Sequence, residues 1–398
     1  MDTLRAALAA TLPETLLGAP VGAYTLSNLR YSPREKLVLG LVAPGGRPVS
    51  LRLFPAARVD DRFAKAQADD ADLTFRLPTL DAVAWIFPAE RKLKLQVVAD
   101  RERVAALVRE ARGVELTDVE LVHYVPEHTY TARLRGRTAG GVAVTEYLKV
   151  YYDETGARTS AVSAELGCGA SAAGLAIPSD QAYVDTDRVL LQRALDRDPQ
   201  RRVDDLAAAR ALAQFHALRA STAPVARDDS RRDLEATAEL AAMAFPAYGA
   251  RVRALCRKVA SMCAAIEPGP VVLLHGDPHL GNLFPLRDGR TAFIDLDAVR
   301  LGPAERDLAS YFAFKLWLGV RRRQAALPLL PAFDALVAAY NEQASRRVEM
   351  ASAWLRLAVV MLIERVKRGI VRGKLHHADE MLEFLAVADR SLELAAHA

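Results

Sequence analysis

The sequence predicts a mixed α/β protein on three observations. Alternating apolar runs with glycine turns fill the first half, Ala/Leu/Arg-rich stretches of helical period fill the second, and two short apolar runs at 271–274 and 291–294 interrupt the helices. Of the 398 residues 51% are hydrophobic and 26% charged, enough to bury a large core and to build two or three domains. The 53 Lys and Arg against 49 Asp and Glu are interspersed, so the net charge of +4 points to neither a nucleic-acid nor a membrane partner. Three cysteines with no Cys-x-x-Cys pair exclude a disulfide framework and fit a reducing, cytoplasmic location.

Taken in order, the N-terminus reads as an amphipathic helix and not as a secretion signal, because Asp2 and Glu14 flank its apolar stretch and Arg5 is its sole cation. Runs 37–42 and 49–54 around Pro44-Gly45-Gly46 predict a hairpin. A second passage, 119–152 with its turn at Gly140-Gly141, repeats the order aromatic, x, Pro, strand, Gly-Gly turn, strand. That register sets Arg52 opposite Lys149, and either a degenerate duplication or the shared turn chemistry of hairpins accounts for it. Trp85 and Phe87 are aromatic core candidates. Helical periods follow at 204–218, 234–245, 252–266, 303–318, 332–347, 351–368 and 378–395. Cys256 and Cys263, seven apart, and His216, between apolar neighbours, read as core fillers; the His376-His377 pair has no partner at metal-ligand spacing and reads as exposed. The longest pure apolar stretch near the C-terminus, 357–363, falls far short of a membrane span.

Chemistry concentrates where the two short apolar runs end. His275-Gly276-Asp277-Pro278-His279-Leu280-Gly281-Asn282 follows the first, and Ile294-Asp295-Leu296-Asp297 ends the second. Phosphoryl transfer asks for a carboxylate near the attacking hydroxyl and for hard oxygen ligands that hold Mg²⁺ on the phosphates. A carboxylate, an amide five residues on and a carboxylate from a neighbouring strand meet that need.

His275-x-Asp277-x4-Asn282 followed by Ile294-Asp295-x-Asp297 resembles the signature of the aminoglycoside phosphotransferase and choline kinase family. Gly302 to Ala309 and the segment Ala211 to Leu218 resemble the family's flanking helices. The resemblance covers about 115–320 well and 1–110 poorly. It implies a two-lobed protein-kinase-like fold: an additional cap-like α/β module over 1–112, a β-rich small lobe over 113–196 and a helical large lobe over 197–398. It implies that Asp277 is the catalytic base and that Asn282 and Asp295 are metal ligands, with Asp297 either a further ligand or a helix-opening residue. His275 is expected to be scaffold, and Asp307 to accept backbone N–H groups of the catalytic loop.

On the nucleotide side the resemblance implies that Lys149 contacts phosphate and pairs with Glu165, the other readings being a solvated strand lysine and an ordinary helix glutamate. Residues 189–195 resemble the strand and hinge that would meet the adenine edge. The expected cofactors are Mg²⁺ and ATP, or GTP. One departure stands out: the turn Val125-Pro126-Glu127-His128-Thr129, which should cover the phosphates, holds no glycine and carries a negative charge. This leaves a second reading, a nucleotide-binding module without transferase activity. Only four residues separate Asp297 from Gly302, too few for a peptide-docking segment, so the acceptor is expected to be a small hydroxylated molecule: a sugar, an amino sugar or an aminoglycoside-like compound. Glu364, Asp379, Glu380 and Glu383 are acidic candidates to meet an aminated acceptor.

Overall fold

A computed structural model describes residues 1–225, 230–375 and 377–398, so His376 lies outside the described residues. The fold is the mixed helix and sheet class that the sequence predicts, and the chain divides into two compact units, residues 1–160 with 180–194 and residues 161–179 with 195–398.

The first unit contains two five-stranded antiparallel sheets of the same topology. In the first, β1 (Thr25–Ser32), β2 (Lys36–Val42) and β3 (Val49–Leu53) form a meander; the helix Ala56–Asp69 follows, and β4 (Thr74–Leu77) and β5 (Ala82–Ile86) complete the order β1-β2-β3-β5-β4. The second repeats it with β6 (Val114–Val125), β7 (Thr129–Thr138) and β8 (Ala143–Tyr151). After the helix Thr155–Ala172 and the two-residue strand β9 (Leu175–Ala176) of the other unit come β10 (Gln181–Val184) and β11 (Val189–Arg193), giving β6-β7-β8-β11-β10.

The correspondence extends to single residues. Ser32↔Lys36 and Val125↔Thr129 close the two meander turns, and each turn has a non-glycine residue in the left-handed region, Arg34 and Glu127. A 3₁₀ turn joins the last two strands in both sheets, followed by left-handed Asp81 in one and Arg188 in the other. Left-handed backbone at non-glycine residues is uncommon, so coincidence at two equivalent points is a specific match. Arg52 pairs with Val38 and Val83, and Lys149 pairs with Thr131 and Leu190, the equivalence read from the sequence. Of the two explanations open at the sequence level, repetition of the whole unit fits better than shared turn chemistry.

Period-two patterning builds the cores of both sheets. Leu39, Leu41, Leu51 and Ala84 face the N-terminal helix Asp2–Thr11 through Leu8, while Leu134, Leu148, Val150 and Leu191 cluster with Val104 and Val108 of the helix Arg101–Arg112. That second helix is capped by Asp100, which accepts from the backbone of Glu102 and Arg103. Trp85 is buried on the other face of the first sheet with Val59 and Val83, in the core role expected of it.

In the second unit, helices Asp205–His216, Ser230–Ala244, Gly249–Ala265, Glu305–Arg321, Pro331–Gln343, Met350–Val360 and Ala378–His397 share one apolar cluster, close to the seven helical periods of the sequence. A π-helical stretch, Met361–Lys367, continues Met350–Val360. Two small sheets lie among these helices: β12 (Val271–Leu274) with β15 (Arg300–Pro303), and β13 (Leu283–Pro285) with β14 (Thr291–Phe293) and β9. Burial pushes the Cys256 thiol up to about 12, as suits a core filler. Among the described residues no helix is long and apolar enough to cross a membrane.

Candidate active site

The catalytic loop is held from below by a carboxylate. His275 ends β12 fully buried, and its backbone N–H donates to Asp307 Oδ2 at 2.7 Å while that of Gly276 donates to Oδ1 at 3.0 Å. His216 Nε2 lies 3.2 Å from Asp307 Oδ2, and its Nδ1 lies 2.9 Å from the Tyr340 hydroxyl. Complete burial alone would raise the Asp307 pKa, but the hydrogen bond and charge of His216, with those of His275, outweigh it and hold the group below its ordinary value. The structural roles expected for His216 and Asp307 are therefore observed. Gly276 sits at φ +86°, and a Cβ there would come within 2.2 Å of the Ala298 carbonyl oxygen, so only glycine lets the loop pass.

His275 ties two segments together. Its Nδ1 accepts from the Asp277 backbone N–H at 3.4 Å, which leaves Nε2 to donate to the Ile294 carbonyl at 2.9 Å. Both ring nitrogens are thus used in scaffolding. Asn282 is anchored twice: its side-chain amide donates to the Asp277 carbonyl at 3.1 Å, and its own carbonyl accepts from the Ile294 N–H at 2.9 Å. The β13–β14 register, Leu283↔Phe293, sets Asn282 opposite Ile294 and so brings Asn282 next to Asp295 along the chain. Asp295 itself is left-handed, at φ +62°, where β14 gives way to the 3₁₀ turn Leu296–Ala298. Asp297 occupies the first position but one of that turn.

Asn282 donates through Nδ2, so Oδ1 is its atom that could face a cation; the Asp295 carboxylate is the other candidate ligand. Among the described residues no three His, Cys, Asp or Glu side chains gather into a metal cage. Two protein oxygens completed by water and phosphate are the kind of set Mg²⁺ takes.

The other side of Asp277 was not legible in the sequence. Its side chain is about half exposed, and His279 Nε2 stands 4.0 Å from Oδ2. The His279 ring stacks on Phe314 (centroids 4.6 Å apart, planes 16° apart), Phe314 meets Trp317 at 5.4 Å, and the Arg365 guanidinium lies 5.7 Å over Phe314. Burial, partly offset by Asp277, lowers the His279 pKa. Phe314, Trp317 and Arg365 lie on helices whose residues read as ordinary core and surface, and no local pattern singles them out.

Of the residues expected on the nucleotide side, Lys149 belongs to the first unit and Glu165 to the second. Lys149 sits half-buried on β8, between buried Leu148 and Val150. Glu165, in the second unit, accepts from the Ser221 N–H at 2.6 Å, the Ser221 hydroxyl at 2.9 Å and the Thr222 N–H at 3.4 Å, and so fastens that loop. The glycine-free turn is built differently from its sequence appearance. Glu127 is 4% exposed, and its carboxylate takes Lys36 Nζ at 2.8 and 2.6 Å and faces Arg52 Nη1 at 3.2 Å. Pro126 packs so closely on Gly40 that a Cβ there would lie 3.0 Å from it. The negative charge is neutralised within the first unit, and burial, which would raise the Glu127 pKa, is outweighed by Arg52 and Lys36.

Residues 186–351 match the model of the phosphotransferase enzyme family, in agreement with the resemblance read from the motifs. No curated protein sequence matches the chain. Among solved structures, it is similar to choline kinase LicA from Streptococcus pneumoniae (13% identity, TM-score 0.48, 73% of this chain and 98% of that one). It is similar also to the spectinomycin phosphotransferase APH(9)-Ia in complex with ADP and spectinomycin (13%, 0.49, 74% and 97%). A third is the macrolide 2'-phosphotransferase MphH from Brachybacterium faecium (16%, 0.46, 73% and 98%).

Proposed function

Given a match to the phosphotransferase enzyme family over residues 186–351, which takes in the catalytic loop and Asp295, we propose that the chain is a Mg²⁺-dependent kinase that moves the terminal phosphoryl group of ATP or GTP to a hydroxyl of a small molecule. The observation that carries this reading is the lacing of Asp277, Asn282 and Asp295 through His275 and Ile294. Bound Mg²⁺ would neutralise charge on the phosphates, with Asn282 and Asp295 as its protein ligands and Asp297 as a further candidate.

Asp277 orients the acceptor hydroxyl and takes its proton as the new P–O bond forms; the bond from the terminal phosphorus to the bridging oxygen breaks and the nucleoside diphosphate leaves. Lys149 meets the nucleotide's phosphates. A sugar-like acceptor agrees with the small interval after Asp297, and the three cysteines, none of them in a disulfide, suit the cytoplasm. The competing reading, a binding module without transferase activity, draws on the absence of glycine from the turn 125–129 and on the charge of Glu127; Lys36 and Arg52 already satisfy that charge.

Phosphate transfer by Asp277→Ala and Asp295→Ala variants tests the assignment. Each is expected to lose at least about 10²-fold in kcat while the melting temperature without nucleotide stays near that of the parent. A folded variant that turns over like the parent would refute the proposal.

A further inference from the structure

Of the four acids expected to greet an aminated acceptor, Asp379 is exposed and the other three are committed elsewhere. Glu364 is 9% exposed and shared between Arg365 and Arg368, each at 3.5 Å; Glu380 pairs with Arg321 at 3.3 Å; Glu383 caps the chain at Ala326, accepting its N–H at 3.0 Å. What approaches Asp277 from the C-terminal helices is cationic. Arg365 is connected to it by an unbroken series of contacts, its guanidinium over Phe314, Phe314 stacked under His279 and His279 at 4.0 Å from the carboxylate. The π-helical stretch Met361–Lys367 carries Arg365, and such widened turns recur at functional sites.

The excess of positive charge is local and specific. Arg365 is 14% exposed, and its Nε is buried with no hydrogen-bond partner; the Nε of Arg300, whose Nη2 donates to the Gly276 carbonyl at 3.4 Å, is in the same condition. The charge of Asp277 reaches Arg365, in keeping with the contacts that join them. Buried donors left unpaired cost free energy, and a cluster of like charges costs more. A cationic acceptor would add repulsion to this surface; an oxyanion would satisfy it.

Resting on the phosphotransferase reading above, we propose that the acceptor is itself an anion, a hydroxylated small molecule whose carboxylate or phosphate is received by Arg365 while Asp277 takes its hydroxyl. This restricts the sugar-like acceptor to its acidic members and sets aside the amino-sugar and aminoglycoside-like ones. Arg365 supplies planar, charge-assisted donors for such a group.

Phosphate transfer from ATP to glucose, glucosamine, glucuronate and glucose 6-phosphate, which share one ring, tests the proposal in the parent chain and in an Arg365→Met variant of verified melting temperature. Expected is a kcat/KM for one acidic acceptor about ten-fold or more above glucose and glucosamine, expressed in KM and reduced to less than about two-fold in the variant. Which acidic acceptor leads separates carboxylate from phosphate. A preference for glucose or glucosamine, or a variant effect confined to the KM of ATP, overturns the proposal and leaves the kinase reading standing. Should none of the four be phosphorylated, melting temperature decides. Stabilisation of the parent by glucuronate or glucose 6-phosphate, lost in Arg365→Met, supports the anion site, and its absence overturns it. The kinase reading itself is then judged separately on Asp277→Ala and Asp295→Ala.

Discussion

Asp307 is a fully buried carboxylate with three donors aimed at it: two backbone N–H groups of the loop that carries Asp277 and the ring of His216. Its folded-state pKa lies below the unfolded value of about 3.9. Its contribution to stability is therefore complete above that value and is lost as pH falls through the lower, folded one. Replacement by Asn turns an acceptor into a partial donor facing donors, so Asp307→Asn is expected to cost about 3 kcal/mol or more at pH 7. Urea unfolding at pH 3 and pH 5 should show a smaller acid-induced loss in the variant than in the parent. An equal loss in both would show that Asp307 does not link folding to protons. The carboxylate's task was legible in the sequence because its spacing from the loop is part of a motif; the environment of His279 was not, since Phe314 and Arg365 reach it only through the tertiary fold.

Between strands, the element that matters most is the turn between β6 and β7. Its sequence, with a proline and a glutamate where glycine would be expected, reads as hostile to phosphate. The structure shows instead that Glu127 belongs to a buried ion cluster: Arg52 contacts both Glu127 and Glu90 and stacks 4.0 Å over Trp85, Lys36 joins from the neighbouring turn, and Tyr124 donates to Glu90 at 2.7 Å. Arg52 holds the strand position that Lys149 holds in the second sheet, so the first copy of the repeat spends this residue on fastening the second copy's turn. Arg52→Met would leave two buried glutamates facing one lysine, and a loss of about 3–5 kcal/mol is expected in chemical denaturation. A change under about 1 kcal/mol would mean that the cluster contributes little to the turn's position. The sequence showed the repeat and the Arg52 register but not this contact, because partners 75 residues apart, such as Arg52 and Glu127, leave no local periodicity.

For the whole molecule, each of the two units has its own apolar clusters: three in the first, built on two sheets and their helices, and in the second one large helical cluster with a small one on the sheet of β9, β13 and β14. Separate cores permit separate melting. Scanning calorimetry is expected to give a calorimetric enthalpy larger than the van't Hoff value, and a single two-state transition would contradict this division. By itself the sequence determined the α/β class, the helical second half, the repeat of a hairpin pattern and the segments proposed to be catalytic and metal-ligating, since these are written in period-two and period-3.6 patterning and in fixed spacings along a few contiguous residues. The tertiary structure alone decided which charges neutralise one another and which are left over: that Glu127 is consumed by Lys36 and Arg52, that Glu364, Glu380 and Glu383 are engaged by arginines and a backbone N–H, and that Arg365 faces Asp277's side of the loop. Charge balance is a property of distances in space, and the chain order of residues does not encode it.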